Sequence, residues 1–323
     1  MLVRKHLRDP NGLQKRSAIM KNAKKKVKTR AIKENLTAYL FLSPTLIFYT
    51  LFIGIPLFMT IFVLSFSDFS LIKPIEFVGL KNFKQLFGDP DFRTVMLNTV
   101  KFVLIIAPVH IVGGLILALA VNAVRRRFLQ GIYRILFYFP LVVTTSAIVI
   151  VWGYLYDYDF GVFNWILTSI GLQRINWLGD SRWSLLSIAI FSAWKFIGNA
   201  FLYYFIGLQN VPESYLEAAR VDGATKWQCL WKIRLPMLSP TIFFVVVTTL
   251  INCFQMFDET YFLTKGGPGV SSQTIAMHIY RKGFQEYHFG YASTLGLILF
   301  IIALAITILM FRYQHKWVNY DLE

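Results

Sequence analysis

The chain has 323 residues, of which 56% are hydrophobic and only 15% are charged, with a formal net charge of +16. That is too apolar for an ordinary soluble domain and too short for many membrane spans plus a soluble domain, so the composition describes one membrane-embedded unit. The positive charge does not imply nucleic acid, because the basic residues gather at one end of the chain and between the apolar runs.

Residues Met1 to Glu34 hold 12 Lys or Arg, including Lys24-Lys25-Lys26, and lack a sustained apolar face. They read as a basic tail, 1–35, able to touch anionic lipid headgroups. The apolar segment that follows is too long for a secretory signal, so it is expected to stay as an anchor.

Six stretches are each near or above the ~20 residues that cross a 30 Å hydrocarbon core at 1.5 Å per residue. They run about Leu36–Leu64, Val95–Val121, Ile132–Tyr154, Leu185–Leu208, Leu238–Leu263 and Ala292–Phe311. The sequence therefore predicts an all-α polytopic fold over 36–312, closed by a short tail, 313–323. An even number of spans puts both termini on one side. The termini and the loops on their side hold 22 Lys or Arg against 9 on the other, which makes the tails cytoplasmic. The opposite loops, Ser67–Thr94, Leu155–Ser184 and Thr264–Tyr291, then face outward and can cap the spans. Trp152, Tyr154, Tyr156, Trp177, Trp183 and Tyr291 crowd the span ends as interfacial anchors do. Cys229 and Cys253 sit where no oxidising compartment would pair them, so no disulfide is expected.

Two spans carry polar and aromatic faces. Ser192, Phe196, Asn199 and Tyr203 recur at helical spacing in the fourth, and Thr249, Asn252 and Met256, with Gln255 beside them, do so in the fifth. Polar groups are costly against lipid. Such faces suit a sugar, whose hydroxyls need hydrogen bonds and whose ring C–H groups suit aromatic rings. They equally suit packing between helices. Lys195 lies about 15 Å into the fourth span at 1.5 Å per residue and needs a partner there. It is expected to pair with Asp258 or Glu259, to snorkel, or to neutralise an acidic sugar.

Between the fourth and fifth spans, Pro212 to Pro236 is moderately polar and spells two short helices. Pro212 suits a first helical position and Glu213 and Glu217 the first turns. Asp222-Gly223 is a stop, Thr225 and Gln228 form a capping-box pattern, and Pro236 is read as a break. Tyr215, Leu216, Trp227, Leu230 and Trp231 offer apolar anchors around Ala218 and Ala219. The element reads as a docking surface.

Glu217-Ala218-Ala219, then Gly223, Ile233 and Leu235-Pro236 match the EAA loop of membrane subunits of bacterial ABC importers at every motif position. Gly79-Leu80-Lys81-Asn82-Phe83 and Leu263-Thr264-Lys265-Gly266-Gly267-Pro268 resemble segments of the carbohydrate branch, so the likeness runs from about Leu40 to Phe311. The resemblance implies a permease whose loop docks from the cytoplasm into an ATP-hydrolysing subunit. It also implies a second permease, a dimer of ATP-binding subunits, an extracytoplasmic solute-binding protein, and a carbohydrate substrate, expected to be an oligosaccharide. ATP and Mg would belong to the partner. This chain lacks the G-x-x-x-x-G-K-[ST] phosphate loop, and His6, His110, His278, His288 and His315 show no metal spacing, so no cofactor, metal or catalytic site is expected. A sugar-phosphate importer subunit, an ion-coupled secondary transporter and a non-transporting scaffold are the alternatives.

Overall fold

A computed structural model describes residues 37–70 and 73–319. The basic tail predicted over 1–35 and the last residues of the C-terminal tail lie outside them. The described residues divide into two compact units, one up to Thr60 and one from Ile61 on.

Helix α1 is Thr37–Phe66. A two-stranded antiparallel hairpin follows, β1 Ser67–Ser70 with β2 Lys73–Phe77, the only sheet among the described residues. Then come α2 Lys81–Gly88, α3 Pro90–Asn122, α4 Arg127–Val142, α5 Thr145–Leu155, α6 Val162–Ser169 and α7 Ser184–Gln209. The docking stretch forms α8 Glu213–Val221 and α9 Lys226–Cys229. Helices α10 Ser239–Phe254, α11 Asp258–Leu263, α12 Ile275–Tyr280 and α13 Phe289–Gln314 complete the fold.

Five helical segments are long and apolar enough to cross a membrane, and a sixth span results if α4 and α5 are counted together. Those two meet at 99°, so the straight third span expected over Ile132–Tyr154 is corrected to a broken one. Val143 and Thr144 adopt extended backbone there, with ψ of 134° and 140°, just after Pro140, which lacks an N–H for the helix ladder. The fifth span is also interrupted, at Gln255–Phe257 between α10 and α11. The second stays continuous but widens into a π-turn over Val109–Gly113, directly after Pro108.

Helices α3, α7 and α10 supply the core. Phe102, Val103 and Ile106 meet Leu185, Ile188 and Ala189 and then Cys253, Phe254 and Met256. One end is closed by small residues: a Cβ on Gly114 would stand 2.7 Å from the Ala200 Cβ and 3.0 Å from the Phe201 N, so α3 and α7 touch backbone to backbone. Exposed Leu104, Ile135, Phe139, Ile150 and Ile308 leave an apolar outer surface of the kind that meets lipid or another subunit.

The loops at the opposite end are tied to the spans by polar side chains. Asn82, in the Gly79–Phe83 segment, donates to the carbonyls of Ser65 (3.0 Å) and Ser67 (2.9 Å). Asn98 of α3 donates to the Val270 and Gln273 carbonyls, and Thr99 accepts from the Ile275 N–H at 2.9 Å. Tyr291 donates to Asp89 at 2.6 Å, and Asp89 caps α3 by accepting from the Asp91 N–H.

This end carries a pH dependence. Burial, with the nearby Lys282 and Arg281 charges, holds the His278 pKa below its ordinary 6.5, despite the opposing pull of Asp89 and Asp91. Burial works to raise the Asp89 carboxyl, but the Tyr291 and Asp91 hydrogen bonds and the His278 and Lys282 charges outweigh it and set it below 3.8. The unfolded chain therefore binds the His278 proton first as pH falls below 6.5, so stability drops from there toward the folded value; Asp89 adds a second loss below 3.8. Thermal unfolding in detergent is expected to show the midpoint falling between pH 7.5 and 5.5, with a flatter profile in His278→Gln. Parallel profiles for the two proteins would assign the slope to other groups.

Candidate functional site

The docking stretch folds as its sequence reads. In α8, Glu217 and Ala218 are exposed and Ala219 half-buried, while Leu216 turns inward. Pro212 is the residue before the first helical position rather than that position itself. Gly223 has φ +80°, its N–H reaches the Arg220 carbonyl at 3.0 Å, and the Ala224 N–H reaches Ala219 at 2.8 Å, closing the helix through a left-handed residue. The capping box forms: the Gln228 N–H donates to Thr225 Oγ1 at 3.3 Å and the Thr225 N–H to Gln228 Oε1 at 2.8 Å. Pro236 is not the expected break. The helix continues from α9 through a π-turn, Leu230–Arg234, into Leu235–Met237, and the widened turn directly before Pro236 accommodates its missing N–H. Ala219, Asp222, Gly223, Gln228, Lys232 and Ile233 line a shallow groove between the two helices. Val221, Trp227 and Trp231 project beside it, 87%, 66% and 55% exposed.

Within the spans lies a cavity of about 410 Å³. Seven of the sequence-selected residues line it: Ser192, Phe196 and Asn199 from α7, and Thr249, Asn252, Gln255 and Met256 from α10 and the break after it. His110, Leu141, Phe257, Asp258 and Glu259 complete much of the wall. Three helix irregularities thus converge here: the π-turn carrying His110, the end of α4 at Leu141, and the Gln255–Phe257 interruption. Non-helical backbone at membrane depth needs protein or water to satisfy it, and side chains do so at the two breaks. Thr274 donates to the Met256 carbonyl at 2.7 Å, and Lys195 donates to the Val143 carbonyl at 2.6 Å. His110 contacts the Ser192 carbonyl through Nε2 at 3.1 Å, which makes that nitrogen the donor.

Two residues of the expected faces lie elsewhere. Tyr203 is partly exposed and packs its ring edge-on against Phe244, 4.9 Å between centroids. Lys195 is 2% exposed and does not line the cavity. No ion pair joins it to Asp258 or Glu259 among the described residues; its ammonium sits on the Val143 carbonyl, 5.4 Å from the Phe196 ring centre. The reason is geometric: residue 195 faces α4, one turn before Gly198, where α7 and α4 are in backbone contact.

The family model described as binding-protein-dependent transport system inner membrane component matches residues 110–320, a range that holds the docking stretch and most of the cavity wall. The chain belongs to this family. Its relatives extend the match over nearly the whole permease. "Probable ABC transporter permease protein YurN" of Bacillus subtilis is 34% identical over 283 residues, 87% of this chain and 97% of that protein. The sulfoquinovosyl glycerol transport system permease protein SmoG of Agrobacterium fabrum is 33% identical, covering 86% of this chain and 90% of that one. The permease also shares its fold with a crystallised bacterial alginate ABC transporter in complex with an alginate pentasaccharide-bound periplasmic protein. The TM-score is 0.75 at 23% identity, with 89% of this chain and 96% of that chain covered.

Several cavity residues of the permease were not singled out from sequence. Asp258 and Glu259 were read only as partners for Lys195, and Leu141 and Phe257 looked like ordinary apolar residues. The one sequence signal for His110 was a histidine directly after Pro108-Val109 inside an apolar run, where a proline marks a place for the helix to widen.

Proposed function

We propose that this permease is the membrane subunit of an ATP-driven importer that carries a carbohydrate from an extracytoplasmic binding protein to the cytoplasm through the cavity between α3, α4, α7 and α10. The observation that carries this reading is the cavity wall: Asn199, Asn252 and Gln255 turn amides with no hydrogen-bond partner among the described residues toward it, beside the Phe196 ring. Unpaired amides and a ring face are what a polyhydroxylated ring requires. Relatives named for lactose and trehalose/maltose transport support the same substrate class.

The working unit is taken to be this permease with a second one, each docking one loop on a dimer of ATP-binding subunits, with both termini cytoplasmic. Asn252 and Gln255 are exposed in the single chain, which fits a path completed by the second permease. Glu217, Ala218, Ala219, Gly223, Ile233, Leu235 and Pro236 are the contacts assigned to the ATPase. Labelling intact cells is expected to reach a cysteine in 267–272 and not one at Lys226; the reverse pattern overturns the topology.

The substrate path is tested by uptake of a panel of radiolabelled oligosaccharides in cells carrying the whole system. Phe196→Ala and Asn199→Ala are each expected to lower uptake about tenfold or more, the scale of one lost stacking or hydrogen-bond contact in a water-poor site. Assembly, read by co-purification of the ATPase, is expected to be unchanged. Normal uptake by both variants, or no carbohydrate carried by the parent, would remove the proposal.

A further inference from the structure

Helix α6 has one side clamped to the protein and the other bare. Trp152, Tyr156 and Trp177, read from sequence as interfacial anchors, instead pack around Phe163 of α6, with ring centres 5.9, 5.1 and 5.9 Å from its ring. Asn164, buried beside Phe163, locks the same side. Its amide donates to the Tyr158 and Ile175 carbonyls at 3.1 and 2.9 Å, and its oxygen accepts from the Ile175 N–H at 3.0 Å and the Trp177 Nε1–H at 3.1 Å. The opposite side is thereby held outward: Val162, Trp165, Ile166 and Ile170 are exposed, Trp165 at 69%, and Phe160, just before the helix, is 91% exposed. An apolar row pinned in that direction cannot turn inward.

Two further observations say what covers it. The hydroxyls in the exposed arc are turned back on the helix, Thr168 Oγ1 donating to the Asn164 carbonyl at 2.9 Å and Ser169 Oγ to the Trp165 carbonyl at 2.7 Å, so neither is offered outward. Charge lies along one rim, where Arg174 pairs with Asp159 at 3.3 Å and both line a shallow groove with Thr168. The second observation is depth. Trp152 belongs to the last turn of α5, and Tyr156 donates to the carbonyl of Ser187, in the first turn of α7, at 2.7 Å. Phe163 touches both aromatic rings, so α6 lies beside the ends of two spans and not beyond them. That is the level at which hydrocarbon gives way to headgroups, and where Trp and Tyr are enriched.

We propose that α6 is an interfacial helix whose partner is the phospholipid leaflet itself. Phe160, Val162, Trp165, Ile166 and Ile170 sit among the ends of the acyl chains and the glycerol backbones, and Asp159 and Arg174 stand at headgroup level. Helices of this kind bury their apolar face about 5–10 Å into that boundary, which matches a helix lying beside the terminal turns of α5 and α7. The carbohydrate reading plays no part in this inference, and the topology decides only which leaflet is meant.

The test is the accessibility of nitroxide labels in the assembled transporter. It is reconstituted in vesicles of phosphatidylethanolamine and phosphatidylglycerol, with Cys229→Ser and Cys253→Ala in this permease and no cysteine in the other subunits. Val162→Cys, Ile166→Cys and Ile170→Cys label the apolar row one at a time, and Asp159→Cys and Arg174→Cys label the rim. Collisions with oxygen, which concentrates in acyl chains, are compared with those of a nickel chelate confined to water. The oxygen-to-nickel ratio is expected to be about threefold or more higher on the row than on the rim. Asn164→Ala is expected to flatten that contrast by releasing the clamp. Equal ratios on row and rim would mean that the row faces water and would overturn the proposal. Labels on the row shielded from both reagents would also overturn it, assigning the face to the second permease, or to the binding protein if shielding appears only when that protein is added. Since the ratios require neither uptake nor a known orientation, they stand or fall apart from the substrate panel and the cysteine labelling.

Discussion

Gly223→Val is expected to lower coupled transport about tenfold or more while leaving the spans folded. At φ +80° an ordinary side chain costs about 1–2 kcal/mol, and a β-branched one more, because Cβ crowds the backbone in the left-handed region. No steric obstacle is involved, since a Cβ at Gly223 would meet nothing within 4 Å. The whole cost therefore falls on the turn. The chain can escape it only by abandoning the bonds from Gly223 to Arg220 and from Ala224 to Ala219, which set the angle between α8 and α9. With that angle lost, Trp227 and Trp231 no longer project beside α8 as they do in the intact loop. Gly223→Asn, which tolerates the left-handed conformation, is expected to keep most of the activity. Transport and substrate-stimulated ATP hydrolysis, measured together in reconstituted vesicles, separate the possibilities: normal transport by the valine variant would mean that the loop's geometry does not couple the machine.

Gly198→Leu is expected to have the largest effect on assembly. A Cβ at Gly198 would run into the Phe137 carbonyl oxygen of α4, with the Phe137 carbon at 3.0 Å and the Tyr138 Cα at 3.2 Å. Overpacking costs about 1–3 kcal/mol where side chains can yield; here the obstacle is backbone, so the upper end applies. That corresponds to a fall of about 4 °C in the unfolding midpoint for a chain of 323 residues. The displacement would also draw Lys195, one turn away on the same face, off the Val143 carbonyl and leave the α4–α5 break without that donor. Gly296→Ala is the control, because a Cβ there meets nothing within 4 Å. Detergent-solubilised protein followed by thermal aggregation gives the comparison; equal midpoints for the two variants would mean that α4 and α7 can separate at no cost.

The sequence by itself determined the all-α spans, the docking stretch and its turn, and the two polar faces. These are local or periodic properties. A run of about 20 apolar residues has few options in lipid. Asp222-Gly223 and Thr225…Gln228 act over three or four residues, so their geometry follows from composition alone. Seven of the nine residues chosen along α7 and α10 face one cavity because helical spacing fixes a common side.

Only the tertiary structure decided how the spans break and what the breaks are for. Nothing in Ile132–Tyr154 states that α4 and α5 will part by 99°, because the donor that accommodates the freed carbonyl, Lys195, comes from a helix 52 residues later. Thr274 does the same for Met256 from 18 residues away. Lys195 looked like a charge awaiting a ligand because sequence records that a cation is buried and not which backbone group it finds. For the same reason Asp258 and Glu259 passed as its partners. Lys195 is held on α4 while Asp258 and Glu259 line the cavity, a placement made by the path of the backbone and not by the composition of the helices.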